Sequence, residues 1–249
     1  MGDIMLGRYT SELIDTYGMK QIFADIKSLV SKRPILANLE SPLYDEGNPN
    51  LHNEKPPKFK APTFLAKELA DNGISILSLA NNHILDYEYD GLLSTINALD
   101  KVNIKTVGAG KNLSQATKPA IIKLPEVTFG ILSFSYIKPA TENNYGVAYL
   151  YDKNIQKHIY NTKRSVDILI VMVHSGIELF RYPLPRDQKI YRKMIDSGAD
   201  CIIGGHPHCI QAIENYNNKK IFYSIGDCIY DHHVKSTWEK FWLHNAHAK

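Results

Sequence analysis

Thiols are scarce in this chain: Cys201, Cys209 and Cys228 are the only cysteines among 249 residues, and no two have CxxC spacing. An odd number without that spacing argues against a disulfide framework and against a sulfur-ligated metal. No apolar run reaches the ~18 to 20 residues of a membrane-spanning helix, and the N-terminus lacks the charged-then-apolar layout of a signal peptide. Basic blocks are missing too. The formal net charge of +3 comes from Lys, Arg, Asp and Glu mixed along the chain, so nothing marks a nucleic-acid stripe and no nucleic-acid partner is expected. Repeats and low-complexity tracts are also wanting. What is present, 249 residues with 44% hydrophobic composition, suffices for one α/β domain with a full core.

Strand and helix signals alternate through most of the length. Residues 34–37 read as a short strand delivering Asn38 and Glu40, and the polar stretch 43–57 as a long loop of the kind that forms lids or substrate walls. Pro62 opens a helix with apolar positions at Phe64, Leu65 and Leu69, and Gly73 ends it. A buried strand at 74–79 and a helix at 86–99, with Leu92, Leu93, Ile96 and Leu99 on one face, come next. The strand at 104–107 closes at Gly108-Ala109-Gly110, a plain turn or a phosphate loop, though neither GxGxxG nor Walker spacing is there. Residues 120–124 and 127–135 form a hairpin signal, and 167–173 is so apolar that both faces should be covered. A helix at 187–195 and strands at 201–203 and 221–225 complete the alternation, so 1–231 reads as one domain and 232–249 as an unassigned tail.

Five segments that close apolar runs end in metal-binding or proton-carrying side chains: Gly2-Asp3, Asn38-Leu39-Glu40, Asn81-Asn82-His83, His174-Ser175-Gly176 and Gly205-His206-Pro207-His208. Two carboxylates, an amide oxygen and three imidazoles are donors that Zn²⁺, Mn²⁺ or Fe²⁺ accepts. His206 and His208 converge only if Pro207 sits in a tight turn, and HxH alone is equally a pair of loop histidines. Asn82 offers a neutral ligand, while His83 suits a proton carrier for a leaving oxygen, oriented by Asp86. The Asn81-Asn82 pair also fits a helix cap, although a cap requires no histidine. Because metal-binding aspartates of α/β folds sit past a strand's C-terminal end, Asp3 implies a strand upstream of Met1. The fold is therefore expected to lack its first strand, with any export signal or anchor lost alongside it.

Read in order, these segments resemble the capsule-synthesis CapA family of poly-gamma-glutamate biosynthesis proteins, within the calcineurin-like metallophosphoesterase superfamily. Further matches are Phe59-Lys60-Ala61-Pro62, Asp86-Tyr87, Val107-Gly108-Ala109-Gly110, Arg181-Tyr182-Pro183 and Phe222-Tyr223-Ser224-Ile225-Gly226. The resemblance implies an α/β fold, a sandwich of two mixed β-sheets flanked by helices, holding two divalent cations (Mn, Zn or Fe). One cation would take Asp3, Glu40 and His208, and the other Glu40, Asn82, His174 and His206, with Glu40 as the bridge. Catalysis would fall to His83 and Asp86, and substrate binding to Asn38, Asn81 and Arg181. The implied activity is phosphoester hydrolysis by a metal-bound hydroxide, on an anionic polymer or phosphoester substrate. The implied setting is membrane-associated or extracytoplasmic, alongside membrane synthase partners. A non-catalytic polymer-binding or scaffold component is the alternative. Three positions depart from the superfamily pattern: Met5 where a histidine is common, Ser175 for a tryptophan, and Asp227 for an asparagine. The first leaves one metal position a ligand short.

Overall fold

The computed structural model describes residues 1–26, 33–47 and 58–230. In chain order they form β1 (Asp3–Ile4), α1 (Arg8–Tyr17), α2 (Met19–Ile22), β2 (Ile35–Leu39), α3 (Leu65–Asp71), β3 (Ile74–Ser78), α4 (Glu88–Lys101), β4 (Lys105–Val107) and β5 (Ala109–Gly110). Then come α5 (Leu113–Ala116), β6 (Ala120–Lys123), β7 (Thr128–Ser135), β8 (Gly146–Val147), α6 (Ile155–Lys163), β9 (Ile168–His174), α7 (Pro185–Asp196), β10 (Cys201–Gly205), β11 (Ile213–Tyr216), β12 (Lys219–Phe222) and β13 (Asp227–Ile229). Most of the expected 43–57 loop and the tail beyond residue 230 lie outside the described residues.

Two main sheets stack between helices. A five-stranded sheet, ordered β13-β1-β2-β3-β4, is parallel throughout. A six-stranded sheet, ordered β11-β12-β10-β9-β7-β6, is parallel at its centre and antiparallel at both edges. Period-two side-chain alternation sorts each strand between layers. In β2, Ile35, Ala37 and Leu39 pack with residues of α1, α3 and α4, while Leu36 turns to the layer between the sheets with Ile76, Val107 and Ile131. In β9, Leu169, Val171 and Val173 pack with Ile159 of α6 and Tyr191, Met194 and Ile195 of α7, leaving Ile170, Met172 and His174 for the opposite face. The inner faces of both sheets thus carry Asn38, Ser78, Ser133 and His174 at their C-terminal ends, and Ser78 and Ser133 meet across the layer at 2.7 Å.

Local signals explain the framing helices. Pro185 opens α7, where its missing N–H costs nothing, and Gly73, at φ +91, supplies the left-handed turn after α3. The helix expected from Pro62 starts three residues later, and Phe64 is 60% exposed because it precedes the first helical turn and falls off the buried stripe of Leu65 and Leu69. Gly108 and Gly110 are not a phosphate loop: Gly110 and Ala109 pair with β8 in a two-stranded ribbon, and Gly108 lies against Ala80 and Ser133.

Candidate metal centre

The C-terminal strand ends of the two sheets meet, as parallel topology dictates for α/β sites. β1 holds Asp3 opposite Asn38 of β2 and Asp227 of β13. Glu40 follows β2, and Asn82 and His83 follow β3. From the facing sheet, His174 ends β9 opposite Gly205 of β10, and the next turn carries His206 and His208. That turn is strained: His206 and His208 have φ of +91 and +52, conformations that cost non-glycine residues ~1 to 3 kcal/mol each and cluster at functional sites. It is what brings both imidazoles inward. Gly205 leaves room for the acid, since a Cβ there would lie 2.9 Å from Asp3 Oδ1.

Among the described residues, three groups have ligand atoms within 4.8 Å of one another: Glu40 with His174 and His206, Asp3 with Glu40 and His208, and Glu178 with His206 and His208. The first two groups bring together the residues expected from the sequence. His174 Nε2 faces both Asn82 Oδ1, at 2.8 Å, and Glu40 Oε1, at 3.4 Å. His206 Nε2 meets the Tyr136 hydroxyl at 3.2 Å, which leaves its Nδ1 buried and without a partner. Asp227 takes His208 Nδ1 at 2.8 Å, so that Nε2 is turned toward Glu40 Oε1 at 3.8 Å.

Glu40 is the telling residue. It is wholly buried, and neither carboxylate oxygen receives a hydrogen bond when both acids are ionised, although a proton shared with Asp3 relieves one of them. Burial first, and then Glu40's charge, pushes Asp3 up to about 7; burial likewise pushes Glu40 up to about 7 against the pull of His208. Desolvation lowers His174 to about 4 and His206 further still, so both rings are neutral donors. At His208 burial opposes the charge, but the Asp227 hydrogen bond and the Glu40 and Asp3 carboxylates prevail and hold the ring at about 9. A buried carboxylate without a hydrogen bond, Glu40, beside a neutral imidazole with an unoccupied nitrogen, His206, is what a divalent cation satisfies. The donor set fits such an ion.

His83 and Asp86 stand together as expected. His83 Nδ1 lies 2.9 Å from Asp86 Oδ2, which also accepts the Phe59 N–H at 2.6 Å, and the Phe59 ring stacks on the imidazole at 4.0 Å. Asn38 and Asn81, expected to bind substrate, are engaged with neighbouring residues. Asn38 donates to Asp3 Oδ1 at 2.9 Å and meets His174 Nδ1 at 3.3 Å, while Asn81 donates to Asn38 Oδ1 and the Leu39 carbonyl and accepts from the His83 and Ile84 N–H groups. Both are buried, their amides spent on holding the loops and ligands in place. Arg181 is exposed on the loop after His174, with its charge felt by Cys209. Sequence reasoning missed Glu178, Tyr136 and the role of Phe59. Phe59 opens a segment that matched the family, but stacking leaves no spacing signal.

A model of the family described as bacterial capsule synthesis protein PGA_cap matches residues 1–232. The PGA biosynthesis protein CapA of Bacillus subtilis is 32% identical over 93% of this chain and 62% of its own length. The capsule biosynthesis protein CapA of Bacillus anthracis is 30% identical over 93% of this chain and 59% of its own length. The chain thus spans about three fifths of each of these relatives. Among solved structures, a phosphatase from Mycoplasma pneumoniae superposes with a TM-score of 0.54 at 15% identity, covering 90% of this chain and 69% of that one. A hypothetical protein from Thermus thermophilus gives 0.54 at 11% identity, covering 93% and 81%. These two likenesses speak for the fold, a two-sheet sandwich flanked by helices. Ordered motifs, fold and matched length together lead to one statement of kinship: this chain belongs to the bacterial capsule synthesis protein family PGA_cap.

Proposed function

We propose that the chain is a metal-dependent hydrolase of the phosphoester type, acting in capsule or poly-gamma-glutamate biosynthesis. The observation that carries this reading is the His83–Asp86 pair, 2.9 Å apart and stacked under Phe59, directly after Asn82. A structural metal site has no use for a fixed proton carrier. In this reading Asp3, Glu40 and His208 hold one divalent cation and Glu40, Asn82, His174 and His206 another. Cations of the Mn, Zn or Fe kind supply Lewis acidity and an acidified water near neutral pH. His83 protonates the departing oxygen, and Asp86 keeps its Nδ1–H engaged so that Nε2 presents the proton. Asn38 and Asn81 fix Asp3, His174 and the His83 loop, while the Tyr136 hydroxyl orients His206. The substrate is an anionic polymer or a phosphoester, met near membrane synthase partners.

A second reading, a non-catalytic polymer-binding or scaffold component, draws on Met5. This side chain is buried where a further imidazole is common, and its sulfur accepts the Gly7 N–H instead of facing the acids. A screen of phosphomonoesters and phosphodiesters with Mn²⁺ or Zn²⁺, run against chelated protein, separates the readings. Hydrolysis should depend on added metal, and His83→Ala should lower turnover by about 10² to 10⁴ for a poor leaving group while metal content stays at the wild-type level. Metal binding without any hydrolysis would favour the scaffold, and loss of metal from His83→Ala would make His83 a ligand.

A further inference from the structure

We propose that Glu178 is an additional metal ligand, supplied by the loop after β9 and closing the solvent side of the donor set. The inference rests on the metal-centre reading above and extends it to a residue outside the six donors. Glu178 has a carboxylate oxygen within 4.8 Å of ligand nitrogens of both His206 and His208. It is also exposed, so it pays no desolvation penalty of the kind borne by Asp3 and Glu40.

The loop is built to hold that carboxylate there. The Leu179 N–H donates to the Pro207 carbonyl at 2.8 Å, which ties the residue after Glu178 to the residue between the two histidines. Gln211, itself buried, donates to the carbonyls of Phe180 and Tyr182 at 2.7 and 3.3 Å and fixes the far side of the loop. Leu179 sits at φ +60, a left-handed conformation that a leucine avoids without cause. Three strained non-glycine residues, Leu179, His206 and His208, therefore meet where Glu178 faces the imidazoles. Strain retained on both facing segments marks a geometry that the rest of the structure enforces.

The chemistry explains why such a ligand is useful here. Asp3, Glu40 and His208 give one cation only three protein donors, because Met5 turns its sulfur to the Gly7 N–H. Glu178 shares His208 with that position, and its carboxylate offers a further donor of the oxygen type that these ions accept.

Calorimetric titration of Mn²⁺ into metal-free wild-type protein, Glu178→Gln and Glu178→Asp tests the assignment. In Glu178→Gln the weaker of two affinities should fall by about ten- to hundredfold, at least the loss typical of a ligand's supporting partner, and the tighter one by less, since His206 is within reach of the same carboxylate. Glu178→Asp should recover part of the loss. The melting temperature of metal-free Glu178→Gln should equal that of wild type, since an exposed side chain is replaced by its isostere. Unchanged affinities in Glu178→Gln would overturn the role of Glu178 and leave the metal centre standing. Wild-type protein that binds no Mn²⁺ would overturn both.

Discussion

The strand ends of the five-stranded sheet deliver Asp3, Glu40, Asn82 and His83, whereas those of the six-stranded sheet deliver His174, His206 and His208. One side brings buried acids whose protons are hard to remove, and the other brings buried imidazoles that resist protonation. Desolvation drives both, in opposite directions, because in each case it disfavours the charged form. Neither side completes the other by ordinary ion pairing: Glu40 keeps two oxygens without a hydrogen bond although His174 and His208 lie within 3.4 and 3.8 Å of it. His208 is the exception. Of the three imidazoles of the six-stranded sheet it is the one with a carboxylate hydrogen-bonded to its outer nitrogen, Asp227 of the five-stranded sheet, and the one held charged. Buried groups of both sides are thus poised to share a third, positively charged partner.

Removing the acid common to both donor groups should have the largest effect. Glu40→Gln keeps shape and volume but loses the charge, so affinity at both positions should fall by more than the ~10- to 100-fold expected of supporting residues. The metal-free variant should melt no lower than wild type above neutral pH, where burying an amide costs less than burying an ionised carboxylate. A variant that binds metal like wild type would dissolve the contrast between the two sides.

A smaller, one-sided effect is expected at Asp227. Its bond to Nδ1 fixes which nitrogen of His208 faces inward, the arrangement by which carboxylates orient metal-ligating histidines. Asp227→Ala should weaken the Asp3, Glu40 and His208 position by about 10- to 100-fold and spare the other. Asp227→Asn, whose amide oxygen still accepts from Nδ1–H, should restore most of the loss. Equal weakening of both positions by Asp227→Ala, measured by calorimetry, would mean that the residue supports the sandwich rather than His208.

How much of this was legible in the sequence varied with how each residue is seated. Glu40, Asn82, His174, His206 and His208 follow apolar runs, while Asp3 opens β1, and a parallel sheet places the ends of its strands together, so the order of motifs carried the geometry. Asn38 and Asn81 have the same sequence context as a substrate-binding amide. Only the register of β1, β2 and β9 reveals that their donors are spent on Asp3, His174 and Leu39. Helices α1 and α6 escaped notice because each buries just two side chains, Thr10 and Ile14 in one and Ile159 and Thr162 in the other, too few for a readable period. Strands β8 and β13, two and three residues long, are below what alternation can mark. Glu178 lies in a loop, where no periodicity applies; the one available hint was a carboxylate four residues after the strand-end histidine.

If the two sheets form a paired metal centre of unequal halves, a calorimetric Mn²⁺ titration of the wild-type chain at two pH values should resolve both halves. Asp3 and Glu40, both at about 7, lie above their ordinary 3.8 and 4.5. Between those limits the metal-free folded state binds more protons at these groups than the unfolded state, so their contribution to stability falls as pH rises. His174 and His206, held below their ordinary 6.5, work in the opposite sense up to about that pH, so above it they no longer offset the acids. A cation displaces the carboxyl protons and one from His208, so binding should strengthen from about pH 6 to about pH 8 with release of protons. The prediction is two binding events of different affinity at the higher pH, the tighter assigned to Glu40, Asn82, His174 and His206, both weakened at the lower pH. Two identical affinities, affinity independent of pH, or no binding would contradict it.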